Sequence, residues 1–351
     1  MKAYHSRLTT STLVASCVLC FSINAGAIEP ISEETGWSGF VLLGGGFTDV
    51  KSNTVVGNDI IDVGDDTISS IIQSPQSDDT AHPVVGLELK YTLPGRSQFF
   101  LGSSLEDQLT MDFANQLGWR KHVPIAGTLQ LGLLLSLPAA EVWADPYLEG
   151  VPRREEDRES LGFRLELDNV LGSGLGLLLQ TRDIEIDDEL SGTDPALRCD
   201  TVCQQLLDRN GDQFVARLWY RFILSPNHIL EPQVRIRNED RDGAAIARDA
   251  WAAQLSYTYL QPPFTFVGSA LYGQSEYDEP NPLYGIRQDA DTMALEATLL
   301  YALPTQSGRW QLTGSVFLGD SDSDIDFHDN QLTQIAVGLM YNFGGSGTSN
   351  Q

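Results

Sequence analysis

The stretch Leu161-Gly162-Phe163-Arg164-Leu165-Glu166-Leu167-Asp168 carries an apolar side chain at every odd position and a small or charged one at every even position. Successive side chains of a β-strand point to opposite faces, so this reads as a strand with one greasy face and one polar face. The pattern recurs along the chain. Val85, Leu87, Leu89, Tyr91 and Leu93 alternate with Gly86, Glu88, Lys90 and Thr92. Leu129 to Leu137, Phe214 to Leu224, Met293 to Leu303 and Ile335 to Phe343 behave in the same way.

The segments between these runs fall into two kinds. Short ones rich in Pro or Gly lie at 94–95, 124–127, 172–174, 225–227, 262–263 and 304–308, as tight turns require. Long polar ones lie at 51–80, 106–112, 138–160, 187–212, 239–249, 277–291 and 320–329. Six short turns alternating with seven long loops predict fourteen strands, with both termini on the short-turn side. That is the layout of an all-β transmembrane antiparallel up-and-down β-barrel with periplasmic turns and external loops. A soluble β-sandwich would also alternate, but its apolar faces would meet in a core and its polar faces would be more charged. Here the polar faces are mostly Gly, Ser, Thr and Gln. Tyr91, Trp119, Tyr259, Tyr301, Trp310 and Tyr341 sit near strand ends, as an aromatic girdle would.

The ends of the chain agree with that reading. Lys2 and Arg7 precede an apolar run from Leu8 to Ile23, and Ala25-Gly26-Ala27 offers a cleavage site, so 1–27 reads as a signal peptide. A lipoprotein signal at Val14-Ala15-Ser16-Cys17 is the rival, opposed by the apolar run continuing past Cys17. The barrel is expected over 28–343. Gly338, Tyr341 and Phe343 resemble the closing-strand signal read by the barrel assembly machinery, and 344–351 reads as a disordered periplasmic tail. Cleavage leaves Cys199 and Cys203, an even pair in an exported chain, which reads as a disulfide; a metal site there would lack a nearby His. No stretch reaches the roughly 20 apolar residues of a transmembrane helix.

Several stretches together resemble a known family. They are Ser38-Gly39-Phe40-Val41-Leu42-Leu43-Gly44 running into Thr48-Asp49-Val50-Lys51-Ser52-Asn53, then Ser104-Leu105-Glu106-Asp107 and Glu141-Val142-Trp143-Ala144-Asp145-Pro146-Tyr147. Arg182 to Asp187, Leu207 to Asp212 and Ser323 to Phe327 complete the set. The chain resembles an uncharacterised family of Gram-negative outer-membrane proteins known only as a domain of unknown function. The resemblance implies the cell outer membrane as location and brings no activity and no functional residue.

Strand phase turns Arg164, Arg182, Arg217, Arg221, Arg235 and Arg237 inward on four neighbouring strands, and Arg120 reads as inward as well. Inward acids are Glu88, Glu166, Asp168, Glu231 and Glu296. Such walls select permeants by sign and size, which points to a channel or transporter for small solutes by passive or facilitated diffusion. An interior closed by ion pairs is the bland alternative. An inward-folded loop, from 51–80 or 138–160, would narrow the path in either case. Two other classes remain: a structural or surface-interaction barrel binding divalent cations, lipopolysaccharide or a partner through acidic loops, and a carrier of hydrophobic compounds.

No cofactor is implied, although divalent cations would suit the acidic loops. Asp208, Asn210 and Asp212 resemble the start of a calcium loop, but Gln213 stands where that turn needs Gly, so a solvated turn is the favoured reading. Asp320, Asp322, Asp324 and Asp326 likewise read as a solvated rim. His82, His122, His228 and His328 form no catalytic constellation, so no enzyme is expected.

The chain has 351 residues, 42% of them hydrophobic, with 22 Lys+Arg against 48 Asp+Glu. A formal charge of −26 without a basic stripe excludes nucleic acid as a partner. The seven long loops hold 36 of the 48 acids and nine of the 22 bases, a net of −27. The excess is one acidic crown facing outward.

Overall fold

A computed structural model describes residues 31–58, 60–103, 114–137 and 139–344. The expected signal peptide, the connection around 106–112 and residues 345–351 of the tail lie outside the described residues. The first half of the sheet comprises β1 (Gly36–Lys51), β2 (Val55–Asn58), β3 (Ile61–Asp62), β4 (Ser77–Leu93), β5 (Ser97–Ser103), β6 (Ala114–Val123), β7 (Gly127–Ser136), β8 (Ala140–Trp143) and β9 (Glu155–Val170). It continues with β10 (Leu175–Ile186), β11 (Gly211–Tyr220), β12 (Phe222–Ser225), β13 (His228–Arg241), β14 (Arg248–Gln261) and β15 (Phe264–Tyr277). The last strands are β16 (Ala290–Ala302), β17 (Trp310–Ser323) and β18 (Asn330–Phe343).

Strands β2, β3 and β8 belong to long connections, and β11 and β12 are one strand interrupted at Arg221. Fourteen strands therefore form the wall. The sheet closes where β1 pairs antiparallel with β18, from Gly39 opposite Phe343 to Lys51 opposite Gln331. Closure leaves no open edge on the wall. The connections follow the expected alternation. Several strands reach further into the long loops than expected, among them β4 starting at Ser77, β9 at Glu155 and β14 at Arg248, with β13 running to Arg241 and β17 to Ser323.

One row of directly paired residues shows how the wall is built. It starts at Gly36 and passes through Thr92, Gln98, Arg120, Gln130 and Glu166. It continues through Leu178, Arg217 and Arg235 to Ala252. It ends through Gly273, Thr292 and Ser321 at Asn330, whose neighbour Gln331 pairs with Lys51. A row leaving β1 at one end thus returns at the other, so the strands are strongly tilted, as closure requires.

Aromatic pairs ring the short-turn end of the wall, including Trp37 with Tyr91 (4.9 Å), Phe264 with Tyr301 (4.9 Å) and Trp310 with Tyr341 (4.7 Å). Phe343 ends β18, and Gly338 faces Gly44 directly across the closing seam. A Cβ on Gly44 would lie 2.1 Å from the Val337 carbonyl oxygen, whereas one on Gly45 would meet nothing within 4 Å. Gly44→Val is expected to cost about 1–3 kcal/mol by forcing the seam apart, with Gly45→Val near neutral. Denaturant unfolding of the barrel, read by its heat-dependent gel mobility, checks the pair; equal losses would show that the seam is not tight.

Candidate functional site

Burial separates the two faces of every wall strand. On β9 the outward Phe163 is 64% exposed while the adjacent Arg164 is 5% exposed. The same alternation places Arg164, Glu166 and Asp168 (β9), Arg182 (β10), and Arg217 and Arg221 (β11 and its junction with β12) on the inner face. Glu231, Arg235 and Arg237 (β13), Glu88 (β4) and Glu296 (β16) share it.

These groups are arranged in local pairs. Arg221 lies between Glu231 (Nε to Oε2, 3.1 Å) and Asp168 (3.7 Å). Lys90 pairs with Glu88. Arg164 donates to Gln180 (2.8 Å), Arg120 donates to Gln98 (2.7 Å), and Gln130 donates to Glu166 (3.3 Å). Arg217 lies over the buried ring of Trp219, 5.0 Å from its centroid. Near the outer end, Glu239 gathers three cations: Arg248 (3.0 Å), Arg237 (3.4 Å) and Arg241 (3.5 Å). Glu239, Arg241 and Arg248 were expected in a loop; the longer β13 and β14 bring them to the inner wall instead.

The interior is lopsided. From β5 to β10 its long side chains, among them Gln98, Arg120, Gln130, Arg164, Gln180 and Arg182, are buried. From β14 to β18 the inward positions are largely small: Ala250, Ala252, Ser269, Gly273, Thr292, Ala294, Ser315 and Gly319. Several inward residues, including Arg217, Arg235, Arg237, Ala294, Glu296, Phe317 and Gln334, are only half-buried. An inward side chain that keeps accessible surface must border an internal space. Towards the short-turn end Leu42, Val84, Ala336 and Met340 fill part of the interior with an apolar cluster.

The long connections condense into a cap over the outer mouth. Ile68, Tyr147, Leu207, Ile325 and Phe327 form a buried apolar cluster, joined by Ile71, Leu197, Ile246, Leu283 and Tyr284. These residues come from six of the seven long connections; the seventh lies outside the described residues. The first connection dips into the mouth, where Ile61 and Val63 pack on Val50 and Leu332 of the inner wall. Its β2 pairs with β8, and β8 with β9.

Polar pins lock the cap. Arg153 Nη1 donates to the carbonyls of Asn53 (2.6 Å) and Pro146 (3.0 Å), its second terminal nitrogen donates to that of Asp65, and the guanidinium lies 4.3 Å from the Trp143 ring centroid. The Asp145 carboxylate accepts from the backbone N–H groups of Tyr147, Gly192, Thr193 and Asp194. Arg209 joins Glu189 (2.6 Å) and the Trp143 carbonyl (2.7 Å). Tyr284 donates its hydroxyl to the Ile71 carbonyl (2.7 Å), and Asn281 donates to the Tyr147 hydroxyl (3.2 Å). Burial pushes the Tyr147 and Tyr284 hydroxyls above the usual tyrosine range and lowers the Arg153 guanidinium to about 10, still charged near neutrality. Burial also lowers His328, stacked edge-on against Phe327, to about 4.

The calcium-like fragment turns its groups elsewhere. Asp208 accepts from Asn210 N–H (3.0 Å), Asn210 accepts from Ile186 N–H (2.8 Å), and Asp212 is exposed on β11. Among the described residues no three His, Cys, Asp or Glu side chains converge as a metal site. Cys199 is disulfide-bonded to Cys203 of helix α1 (Thr201–Leu206), and both pack on the cap cluster. His82 bonds Thr48 (2.9 Å) and His228 bonds Tyr257 (2.6 Å), far along the chain from His328. The cap is what the loop composition concealed. Its signal was the aromatic residues Trp143, Tyr147, Tyr284 and Phe327 set among acids.

The fold and the inner wall thus define a closed, capped fourteen-stranded barrel. The chain belongs to the family described as "Protein of unknown function (DUF2860)", which matches residues 36–342. No curated protein matches it in sequence. Solved structures that it resembles include a FadL homologue of Pseudomonas aeruginosa, at 12% identity over 88% of this chain and 91% of that one, TM-score 0.43. Another is the outer-membrane channel DcaP of Acinetobacter baumannii, at 12% identity over 91% and 100%, TM-score 0.41. A third is the CymD monoaromatic hydrocarbon channel, at 12% identity over 89% and 90%, TM-score 0.42. No feature of the site is carried over from them.

Removing the Arg153 side chain takes a donor from two buried carbonyls, of Asn53 and Pro146, and from the half-buried one of Asp65. Arg153→Ala is expected to lower the free energy of cap opening by about 2–4 kcal/mol while the wall stays protected. Amide hydrogen exchange at 52–76 and 140–154 against β13–β16 measures this; unchanged loop protection would remove Arg153 as a pin. Acid should act through His328. Its imidazole takes a proton more readily once the cap opens, so cap stability falls as pH drops from about 6.5 through about 4, by roughly 3 kcal/mol at most. Asp329, held above the usual carboxylate range by burial and neighbouring acids, works in the opposite sense. His328→Asn therefore isolates the effect, and an acid profile identical to the parent's would show that His328 does not set it.

Proposed function

We propose that the protein is a channel or transporter for small solutes in the outer membrane of a Gram-negative bacterium, with its cap controlling the outer mouth. One observation carries this reading: inward side chains on β13–β18 keep accessible surface although they point into a closed wall. The exposed apolar outer face, with Leu43, Phe99, Phe163, Leu218, Leu295 and Val337, suits lipid, and the acidic loops suit divalent cations and lipopolysaccharide. Gly338, Tyr341 and Phe343, on the strand that closes the barrel, suit recognition by the assembly machinery. No catalytic step is placed on the chain.

A second reading draws on the cap itself. An ordered acidic surface built by six connections also suits a barrel whose task is to bind cations, lipopolysaccharide or a partner. Current across a planar lipid bilayer separates the two. The wild-type chain is expected to conduct in brief openings, with Arg153→Ala raising the open fraction. Replacing Arg217 and Arg221 by Ser should move the reversal potential in a salt gradient towards cations. Conductance from neither wild type nor Arg153→Ala would favour the surface-binding reading, and an unmoved reversal potential would take Arg217 and Arg221 out of the path.

A further inference from the structure

Two charged layers of opposite sign lie in series along this barrel. Outside, the long loops hold the acidic excess; inside, β11 and β13 set Arg217 directly opposite Arg235, with Arg237 one inward position further along. A free anion approaching from outside meets the negative layer first, and a free cation that passes it meets the guanidinium wall. Each layer acts over about one Debye length, ~8 Å at physiological salt, so they act one after the other. A solute with no net charge suffers neither penalty.

The inner wall also supplies a counter-charge. Glu296 stands on β16, half-buried, with Ser269 and Phe317 as its direct neighbours across the sheet. The row through Arg235 reaches β16 at Thr292 by way of Ala252 and Gly273, four positions before Glu296. Three tilted strands raise that row by roughly 9 Å, and four residues down the strand lower it by roughly 10 Å. Arg235 and Glu296 therefore stand at about the same height, with Ala252 and Gln254 on β14 and Leu271 on β15 the inward residues nearest that height on the strands between them. The field between them runs across one side of the lumen.

We propose that the lumen selects small zwitterions, with Arg217 and Arg235 receiving the solute's carboxylate and Glu296 its ammonium group. This deepens the channel reading and rests on it. The dipole of such a solute aligns with the transverse field, and both of its ends exchange water for charge-assisted hydrogen bonds. A neutral polyol gains neither, and acetate or ethanolammonium gains one while meeting one repulsive layer.

Efflux from lipid vesicles holding the full chain, wild type and Arg153→Ala, tests the proposal with labelled glycine, acetate, ethanolammonium and glycerol. Glycine is expected to leave about threefold to tenfold faster than acetate or ethanolammonium. Glu296→Gln and Arg235→Gln should each cut glycine efflux by about threefold to fivefold and leave glycerol efflux unchanged. If glycerol passes but acetate outruns glycine, or Glu296→Gln leaves the order intact, the zwitterion proposal fails and the channel stands. Vesicles tight to all four solutes, in both chains, would overturn the channel reading and this proposal with it.

Discussion

The pairing of β1 with β18 sets the terms for the whole molecule. A sheet with free edges would present unpaired N–H and C=O groups along its length, and burying those groups costs more than most side-chain contacts return. Thirteen consecutive residue pairs close it, from Gly39 with Phe343 to Lys51 with Gln331. The seam is tight enough that Gly44 and Gly338 face each other where side chains would clash with the neighbouring strand. Closure obliges the strands to tilt, and tilt obliges every inward row to climb the wall. Residues distant in sequence are thereby brought to one height inside the barrel.

Fourteen strands enclose more volume than single-layer side chains can fill, and this chain resolves the excess unevenly. One half is packed with long side chains whose charges are matched by nearby glutamines and acids. The Glu239 cluster is the extreme case: three arginines surround one carboxylate, and two of them find further acceptors, Arg248 in the Tyr277 hydroxyl and Arg241 in the Gly211 carbonyl. The other half uses alanine, glycine and serine, which cannot cross the space. Internal room therefore follows from the composition of five adjacent strands and needs no missing element.

Much of this was legible in the sequence. Leu161 to Asp168 displays its two faces directly, because strand period and side-chain burial report the same geometry. The phase of that alternation also named the inward arginines. The boundary at Arg241 and Arg248 was not legible, since Glu239, Asp240 and Arg241 look like a solvated loop until β11 is seen to pair with all three and β14 with Glu239. Nor was the cap. Tyr147, Tyr284 and Phe327 are separated by 137 residues or more, apart from the 43 between the last two, and nothing local declares that they meet. Long-range packing among irregular segments has no period to read. The apolar lining of the short-turn end was hidden for a related reason: Leu42 and Met340 sit on inward faces that alternate between small and apolar residues.

The cap poses a problem that charge alone would decide wrongly. Loops holding most of the chain's acids should repel one another and stay apart, yet they condense over the mouth. Several carboxylates are used as acceptors for backbone donors, as Asp145 does for four N–H groups, so their charge is consumed locally and does not face another carboxylate. The few cations in these loops are spent at the junctions: Arg153 binds carbonyls of the first and third connections, and Arg209 ties the third to the fourth. The aromatic cluster then excludes water from the centre, which strengthens each of those bonds. An assembly of this kind is held by a small number of buried cations against a large diffuse repulsion. Its stability should therefore be steeply sensitive to single substitutions and to ionic strength, as the cover of an outer mouth needs to be if it is to open without unfolding the wall beneath it.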